Sequence, residues 1–245
     1  MSINFFVPKW DAPPPPNVVR ALFTMRGGGV SHAPFDSLNM SASAGDDIKA
    51  VRQNRRLLDA HLPAAAKWLR QAHTAKIVRA EDITDADTET ADGIWTSKAK
   101  KVCAITVADC APVLMAAADG LAVAAVHAGW RGLAAGIIEN AAAKLRAASS
   151  SPIVAWVGPV ICARHYPVGD EMRAAFCEEE ADCFIRLGGG LCADIAALAK
   201  RRLLAAGAKS ITIFGECTYQ NRHKYFSARR DGNKTGRMAA VIWRQ

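Results

Sequence analysis

Short apolar runs of strand length alternate along this chain with longer mixed segments of helical length. The mixed segments at 46–60, 133–147 and 193–206 are predicted helices; Asp46 and Asp47 place negative charge at the start of the first, and Gly207 follows the last as a cap. The predicted strands are 18–24, 76–80, 102–107, 113–118, 121–126, 153–157 and 210–214. This pattern favours an α+β arrangement of layered sheets over a doubly wound parallel sheet.

The apolar runs at 113–118 and 121–126 are separated by Asp119-Gly120, a strong signal for a two-residue hairpin turn. With that turn, Pro112 lies opposite His127, as suits a strand start or edge. Cys110 and His127 then become diagonal neighbours on one face, with backbones about 7–8 Å apart. The sequence therefore predicts a thiol and an imidazole at one end of a hairpin.

Composition bounds the organisation of the chain. A length of 245 residues with 51% hydrophobic residues is sufficient for a substantial core and predicts one domain or a closely fused pair. A proline tract at 13–16 separates an amino-terminal extension, residues 1–17, from a single domain over residues 18–245. The longest apolar runs fall short of the roughly 18 residues of a membrane helix, and residues 1–8 are too short for a signal peptide, so a cytoplasmic protein without a membrane partner is expected.

Charge and cysteine content remove further classes. The net charge of +8 is compatible with nucleic-acid binding, but the Lys and Arg residues are scattered and no nucleic-acid-binding signature occurs. A small anionic substrate explains the local arginine clusters equally well. The seven cysteines are odd in number and contain no Cys-x-x-Cys, which argues against a disulfide framework or a zinc knuckle. Most are expected to be buried and reduced.

Four polar segments interrupt the apolar pattern. Arg26 with the three following glycines is either an anion-binding loop or a turn with a solvated arginine, and it lacks both nucleotide-binding fingerprints. His73 alone is more typical of a surface or core histidine than of a ligand. The run at 226–237 with three arginines is either an anion-binding segment or a solvated basic tail. Gly158-Pro159, followed by Cys162 and Tyr166, is by itself typical of a rigid turn.

Taken together and in order, these segments resemble the laccase-domain, or YfiH-like, family, whose members are called multicopper polyphenol oxidases and also purine nucleoside phosphorylases. The resemblance covers about residues 18 to 244. The matching segments are FTMRGGGVS, SLNM, GDD, VRQNRRLL, QAHT, ADG, VADCAPVL, VHAGWRG, GPVI, YPVG, CT and YFSARRDGNKTGR. The resemblance implies a four-layer α/β/β/α sandwich of mixed sheets, similar to cysteine hydrolases, and a single YfiH-like catalytic domain.

The resemblance also implies a metal site made by His73, Cys110 and His127. Two imidazoles and one thiolate suit catalytic zinc, because three protein ligands leave a fourth position open, and copper could occupy the same site. Three departures from the family pattern are Thr74 after Gln-x-His, Ala228 within the arginine motif, and Pro167 where a glutamate is usual.

The activity implied by the family is phosphorolysis of adenosine, inosine, guanosine and methylthioadenosine, with deamination of adenosine as a second reaction. The partners are then purine nucleosides and phosphate. For deamination, a water activated by the metal attacks C6 of the purine, and Asp109 or Asp92 is the candidate proton shuttle. For phosphorolysis, we expect Arg26, Arg229 and Arg230 to hold phosphate, with Arg131 in reserve.

Three other functions stay open from the sequence. Cys110 activated by His127 could be the nucleophile of a hydrolase or amidase of small amides such as cell-wall precursors. A copper-dependent polyphenol oxidase is less consistent, since a multicopper site needs about ten His and Cys ligands, and this chain has six histidines and no His-x-His. A metal-binding or nucleotide-binding protein without turnover is the non-enzymatic alternative.

Overall fold

A computed structural model of the chain describes residues 2–15 and 17–245. The strands within these residues are β1 Phe5–Phe6, β2 Val19–Thr24, β3 Ile77–Arg79, β4 Gly93–Thr96, β5 Val102–Val107, β6 Ala111–Ala117, β7 Val123–Ala128, β8 Ile153–Val157, β9 Phe184–Leu187, β10 Gly190–Ala193, β11 Ala208–Ile213 and β12 Met238–Arg244. The α-helices are α1 Ile48–Asp59, α2 Trp130–Ala134, α3 Ile137–Ala148, α4 Asp170–Ala174, α5 Ile195–Ala205 and α6 Ala228–Asp231.

Two sheets form the centre of the molecule. The smaller sheet has the strand order β1-β2-β12-β5 and is antiparallel throughout. The larger sheet has the order β11-β8-β6-β7-β4-β3, in which β11 runs parallel to β8 and β3 runs parallel to β4, while the other neighbours are antiparallel. Strands β9 and β10 form a separate antiparallel hairpin.

Three apolar clusters separate four layers. Helix α1 packs on the outer face of the smaller sheet, where Leu58 shares a cluster with Val241. Phe23 and Trp156 lie between the two sheets. Helices α3 and α5 cover the outer face of the larger sheet, with Leu145 in the third cluster. Because strand side chains alternate between faces, each sheet contributes to two clusters. The α/β/β/α order confirms the predicted fold class.

The predicted elements are mostly confirmed, with one broken helix. Strands β5 and β8 have the predicted bounds, and Asp47 caps α1 by accepting a hydrogen bond from the Lys49 main-chain N–H at 2.9 Å. The prediction of a single helix at 133–147 was wrong, because α2 ends at Ala134 and α3 begins at Ile137. Gly136 between them has φ of +85°, a left-handed conformation that ends one helix before the next begins. Strands β4 and β12 were not predicted.

The hairpin of β6 and β7 has the predicted register but a longer turn. Pro112 lies opposite His127 near the start of β6. The last ladder hydrogen bond runs from the Ala117 N–H to the Ala122 carbonyl at 2.9 Å, so four residues connect the strands instead of two. Gly120 adopts φ of +76° within this turn. Adding one residue to each side of the turn leaves the register unchanged, so the predicted proximity of Cys110 and His127 is retained.

The amino-terminal segment takes part in the smaller sheet. Phe5 and Phe6 pair with Thr24 and Phe23, and Ile3 is buried. Met1 and Pro16, which belong to the predicted extension and its proline tract, lie outside the described residues. The division at residue 17 stays a prediction. Among the residues that the structure describes, no helix is long and apolar enough to cross a membrane.

Candidate functional site

His73, Cys110 and His127 come together at one end of the β6–β7 hairpin. Their ligand atoms lie within 4.8 Å of one another, and the two imidazole ring centroids are 4.8 Å apart at an interplanar angle of 72°. Cys110 directly precedes β6, and His127 lies on β7. His73 comes from the loop before β3. We call these three residues the cavity cluster.

Asp92 positions His73. This carboxylate is fully buried just before β4. It accepts hydrogen bonds from the main-chain N–H groups of Ala72, His73 and Thr74 at 3.1, 3.0 and 2.7 Å, and from the Thr74 hydroxyl at 2.9 Å. The loop therefore wraps around one buried charge, which fixes His73 at φ of +58°, a conformation that few non-glycine residues adopt.

Asp92 also positions His127. Its Oδ1 lies 2.8 Å from the imidazole Nδ1, which leaves Nε2 for another partner. A carboxylate behind a ligating histidine fixes the tautomer and the ring orientation in metal sites. Burial acts to raise the pKa of Asp92, but the hydrogen bond and the charge of His127 lower it to about 2. Asp92 is therefore an ionised positioning group, and it does not line the adjacent cavity.

Both imidazoles of the cavity cluster have altered proton affinity. Burial acts to lower the pKa of His127, but the charges of Cys110 and Asp92 raise it to about 9. Burial and then the charge of His127 lower the pKa of His73. At neutral pH the two rings thus differ in protonation when they hold no metal.

Gly129 leaves the space in which the three ligand atoms converge. A Cβ at this position would lie 2.6 Å from Nδ1 of His73 and 3.2 Å from Sγ of Cys110. Any side chain would therefore displace a member of the cavity cluster. The two nitrogens, one sulfur and the side-chain-free space beside them fit a thiophilic cation such as zinc, and copper accepts the same donors.

The cavity cluster opens into a cavity of about 540 Å³, a size typical of small-molecule sites. Two arginines in its wall are stacked on aromatic rings: the guanidinium of Arg131 lies 4.3 Å from the Trp130 ring centroid, and that of Arg229 lies 4.8 Å from Tyr166. Arg237 also lines the cavity. Burial lowers the pKa of Arg237, while the charges of Cys110 and Asp109 act in the opposite direction. Further polar lining residues are Ser41, Ser43, Gln71 and Asn233.

Asp109 ties two distant loops to the cavity wall. Its carboxylate accepts hydrogen bonds from the Thr218 hydroxyl at 2.6 Å, the Ser227 hydroxyl at 3.0 Å and the Arg229 main-chain N–H at 2.6 Å. Its φ of +91° turns the chain sharply just before Cys110. Asp109 therefore holds Arg229 in place and, unlike Asp92, lines the cavity.

The structure does not bring Arg26 and Arg230 to this cavity. The Arg26 guanidinium donates to the main-chain carbonyls of Asp36 and Arg222. The Arg230 guanidinium donates to the carbonyls of Thr218, Tyr219 and Tyr225. Both groups are thus occupied in holding loops, which corrects their predicted placement beside the metal ligands.

Among the cavity residues that were not assigned from the sequence, Arg237 and Gly129 matter most for the site. Arg237 belongs to the same arginine-containing run as Arg229, and nothing local distinguishes it from a solvated arginine. Gly129 stands between two motif residues, His127 and Trp130, in HAGWRG. A glycine two residues after the candidate ligand His127 could have indicated that other side chains approach the main chain closely there.

The four-layer fold and the cavity cluster together define a class of mixed α/β sandwich proteins with a thiol–imidazole site. The family described as multi-copper polyphenol oxidoreductase laccase matches residues 20–245, and the chain belongs to this family. This confirms the family resemblance.

Relatives and a solved structure agree over nearly the whole chain. The chain is 40% identical to the purine nucleoside phosphorylase PA4543 of Pseudomonas aeruginosa and 41% identical to the purine nucleoside phosphorylase YfiH of Escherichia coli K12, with 98% of each chain covered in both comparisons. The crystal structure of Neisseria meningitidis protein NMB0706 matches with a TM-score of 0.91 at 39% identity, over 99% of both chains.

Proposed function

We propose that this protein is a purine nucleoside phosphorylase and that the cavity beside the cavity cluster is its active site. One observation carries the proposal: a cavity of about 540 Å³ joins the thiol–imidazole cluster to the side chains of Arg131, Arg229 and Arg237. Phosphate binding requires the cationic arginine side chains, and nucleoside binding requires a cavity of this size beside them. The names of the Pseudomonas and Escherichia relatives support the same activity.

The proposed substrates are adenosine, inosine, guanosine and methylthioadenosine. A phosphate oxygen bonds to C1′ of the sugar, the bond from C1′ to the purine nitrogen breaks, and its electron pair leaves with the base. The proton of the phosphate goes to the departing base, which gives free purine and the sugar 1-phosphate. Arg229 and Arg237 bind the phosphate oxygens in this scheme, and Arg131 adds positive charge.

Zinc is the proposed cofactor, held by the cavity cluster, and copper can use the same ligands. When bound, the metal supplies a Lewis acid next to the substrate. The chain contributes the orientation: Asp92 fixes the His127 ring and the loop of His73, and Asp109 fixes Arg229. Asp92 has little capacity as a proton shuttle at neutral pH, because its pKa is about 2. Asp109 is the remaining candidate for that role.

Adenosine deamination is proposed as a second reaction of the same cavity. Water adds its oxygen to C6, the amino group leaves as ammonia, and inosine results. Support for this reaction comes from the family resemblance together with the position of Asp109 on the cavity wall beside Cys110.

A second candidate function rests on the spatial arrangement of Cys110, His127 and Asp92. A thiol, an imidazole and a buried carboxylate that orients the imidazole are the parts of a nucleophile, its base and the orienting group. In this function the protein hydrolyses small amides through Cys110 and needs no metal. A copper-dependent phenol oxidase stays a third candidate, with stoichiometric copper and oxygen uptake as its requirements.

The test is mass spectrometry of products from adenosine, with and without phosphate. We expect adenine and ribose 1-phosphate only with phosphate, and neither product with Cys110→Ser. Cys177→Ser is the matched control, because Cys177 is exposed and outside the cavity. Inosine would add the deaminase reaction. Unchanged turnover in Cys110→Ser, or after chelation, would show that a metal held by the cavity cluster takes no part in the mechanism. Amide cleavage after chelation would establish the hydrolase instead.

A further inference from the structure

A second group of metal-binding side chains lies outside the cavity: Cys162, His165 and Cys217. Their ligand atoms are within 4.8 Å of one another. Cys162 and His165 belong to the segment after β8, and Cys217 follows β11. An isolated β-bridge between Val160 and Cys217 joins the two segments. We call these three residues the loop cluster; none of them lines the cavity.

The two sulfur-to-nitrogen distances in the loop cluster match the edges of a tetrahedral coordination set. Nδ1 of His165 lies 3.3 Å from Sγ of Cys162 and 3.8 Å from Sγ of Cys217. Zinc bonds of about 2.3 Å to sulfur and 2.0–2.1 Å to nitrogen give a sulfur-to-nitrogen edge of about 3.5 Å in a tetrahedron. The two distances bracket this value, so a cation could bind with only small side-chain shifts.

Neighbouring groups already orient two of the three ligands. The main-chain N–H of Cys162 donates to Sγ of Cys217 at 3.3 Å, a contact that fixes the position of this sulfur. The ring of Tyr219 stacks on His165 with centroids 4.4 Å apart and an interplanar angle of 11°. Such fixed orientation of sulfur and imidazole ligands is what metal sites require.

We propose that the loop cluster binds one zinc ion, in addition to any metal in the cavity cluster. Two sulfurs and one imidazole select zinc over magnesium or calcium, and binding releases the two thiol protons. The bound ion ties the segment after β8 to the segment that carries Thr218, a hydrogen-bond donor to Asp109. Its role is to stabilise the cavity wall, and it is independent of the reaction in the cavity.

The first measurement uses the unaltered chain. The reduced protein is treated with a maleimide in the presence of Zn²⁺ or of a chelator, and modified cysteines are mapped by mass spectrometry. We expect Zn²⁺ to protect the half-buried Cys162, while the exposed Cys177 reacts equally under both conditions. Equal labelling of Cys162 with and without Zn²⁺ would overturn the proposal. A Cys162–Cys217 disulfide that resists reduction would also overturn it, since the two sulfurs would then be unavailable to a metal ion.

The second measurement counts metal ions. In a Cys110→Ser, His73→Ala background, which removes two ligands of the cavity cluster, we expect one bound zinc per chain. Adding Cys162→Ser and Cys217→Ser should reduce this to none, whereas adding Cys177→Ser should leave it at one. Zinc content that is unchanged by the Cys162→Ser and Cys217→Ser pair would place the ion elsewhere and refute the site. The count does not depend on phosphorolysis, so failure of the proposed function would leave it interpretable.

Discussion

The cavity cluster and the loop cluster have similar ligands but very different surroundings. The cavity cluster has two imidazoles and one thiol, a buried carboxylate behind it, and a glycine that leaves room at its centre. Its residues line a cavity of about 540 Å³. The loop cluster has two thiols and one imidazole, and its neighbours are a main-chain N–H and an aromatic ring.

Under the two proposals, this difference separates a site for reaction from a site for structure. Around the cavity cluster, His73 and Asp109 have left-handed backbone conformations, which cost free energy and persist where the surroundings enforce them. Around the loop cluster, Cys162, His165 and Cys217 have no such conformations. Positive charge also distinguishes the cavity cluster, because Arg131, Arg229 and Arg237 line the cavity beside it.

The largest expected effect comes from filling the space in the cavity cluster. In Gly129→Ala the new Cβ would lie 2.6 Å from Nδ1 of His73, so the ligand set must separate. We expect a loss of about 100-fold in kcat/KM for phosphorolysis and a lower zinc affinity measured by competition with a chelator. The loop cluster should keep its ion. Gly190→Ala is the control, because its Cβ would meet only the Leu187 carbonyl at 3.8 Å. Full activity in Gly129→Ala would contradict the assignment of this cavity.

Removing the carboxylate behind the cavity cluster should have the next largest effect. Asp92→Asn removes the negative charge and replaces one carboxylate oxygen by an NH2 group, so either the Thr74 N–H or the pair formed by the His73 N–H and the His127 ring loses its acceptor. We expect zinc affinity of the cavity cluster to fall by about 10- to 100-fold, with no change in thiol protection at the loop cluster. Asp119→Asn is the matched control, since Asp119 also accepts a main-chain N–H but lies in the remote β6–β7 turn. Equal zinc affinity in Asp92→Asn and wild type would disprove the positioning role.

Stability of the metal-free protein should depend on pH through the same carboxylate. The pKa of Asp92 is lowered from 3.8 to about 2 on folding. Its stabilising contribution is therefore complete above about pH 4 and is lost as the pH falls toward 2. We expect about 2 kcal/mol of the unfolding free energy to disappear over this range. Urea unfolding of wild type and Asp92→Asn measures it: the difference between them should shrink on acidification, and a constant difference would contradict the account.

The sequence was sufficient for the fold class and for two of the three residues of the cavity cluster. The apolar pattern predicted the β6–β7 register, which brings Cys110 and His127 together. Nothing local brings His73 to them, because the contact depends on Asp92, a buried charge about 20 residues away in the chain that holds the His73 loop. That ligand was predicted through the family resemblance alone.

The loop cluster shows the limit of counting cysteines. Its ligands have Cys-x-x-His spacing at Cys162 and His165, but the third lies 52 residues beyond His165. The absence of Cys-x-x-Cys argued against a zinc knuckle, whereas the parallel pairing of β8 with β11 places both segments at the same end of the sheet. Only tertiary structure supplies this proximity. The same limit explains Arg26, which is close to the motifs in sequence and is held away from the cavity by carbonyls of Asp36 and Arg222.

The smallest expected effect distinguishes the arginines that line the cavity from those that hold loops. Arg237→Lys keeps the charge but loses the planar guanidinium, so we expect the KM for phosphate to rise by about 10-fold with little change in the KM for the nucleoside. Arg26→Lys should leave both values unchanged, because Arg26 lies outside the cavity. The opposite result, a raised phosphate KM in Arg26→Lys alone, would restore the sequence-based assignment. It would also show that the cationic wall of the cavity serves another ligand. Steady-state kinetics at varied phosphate and fixed adenosine measure the KM values that decide between the two results.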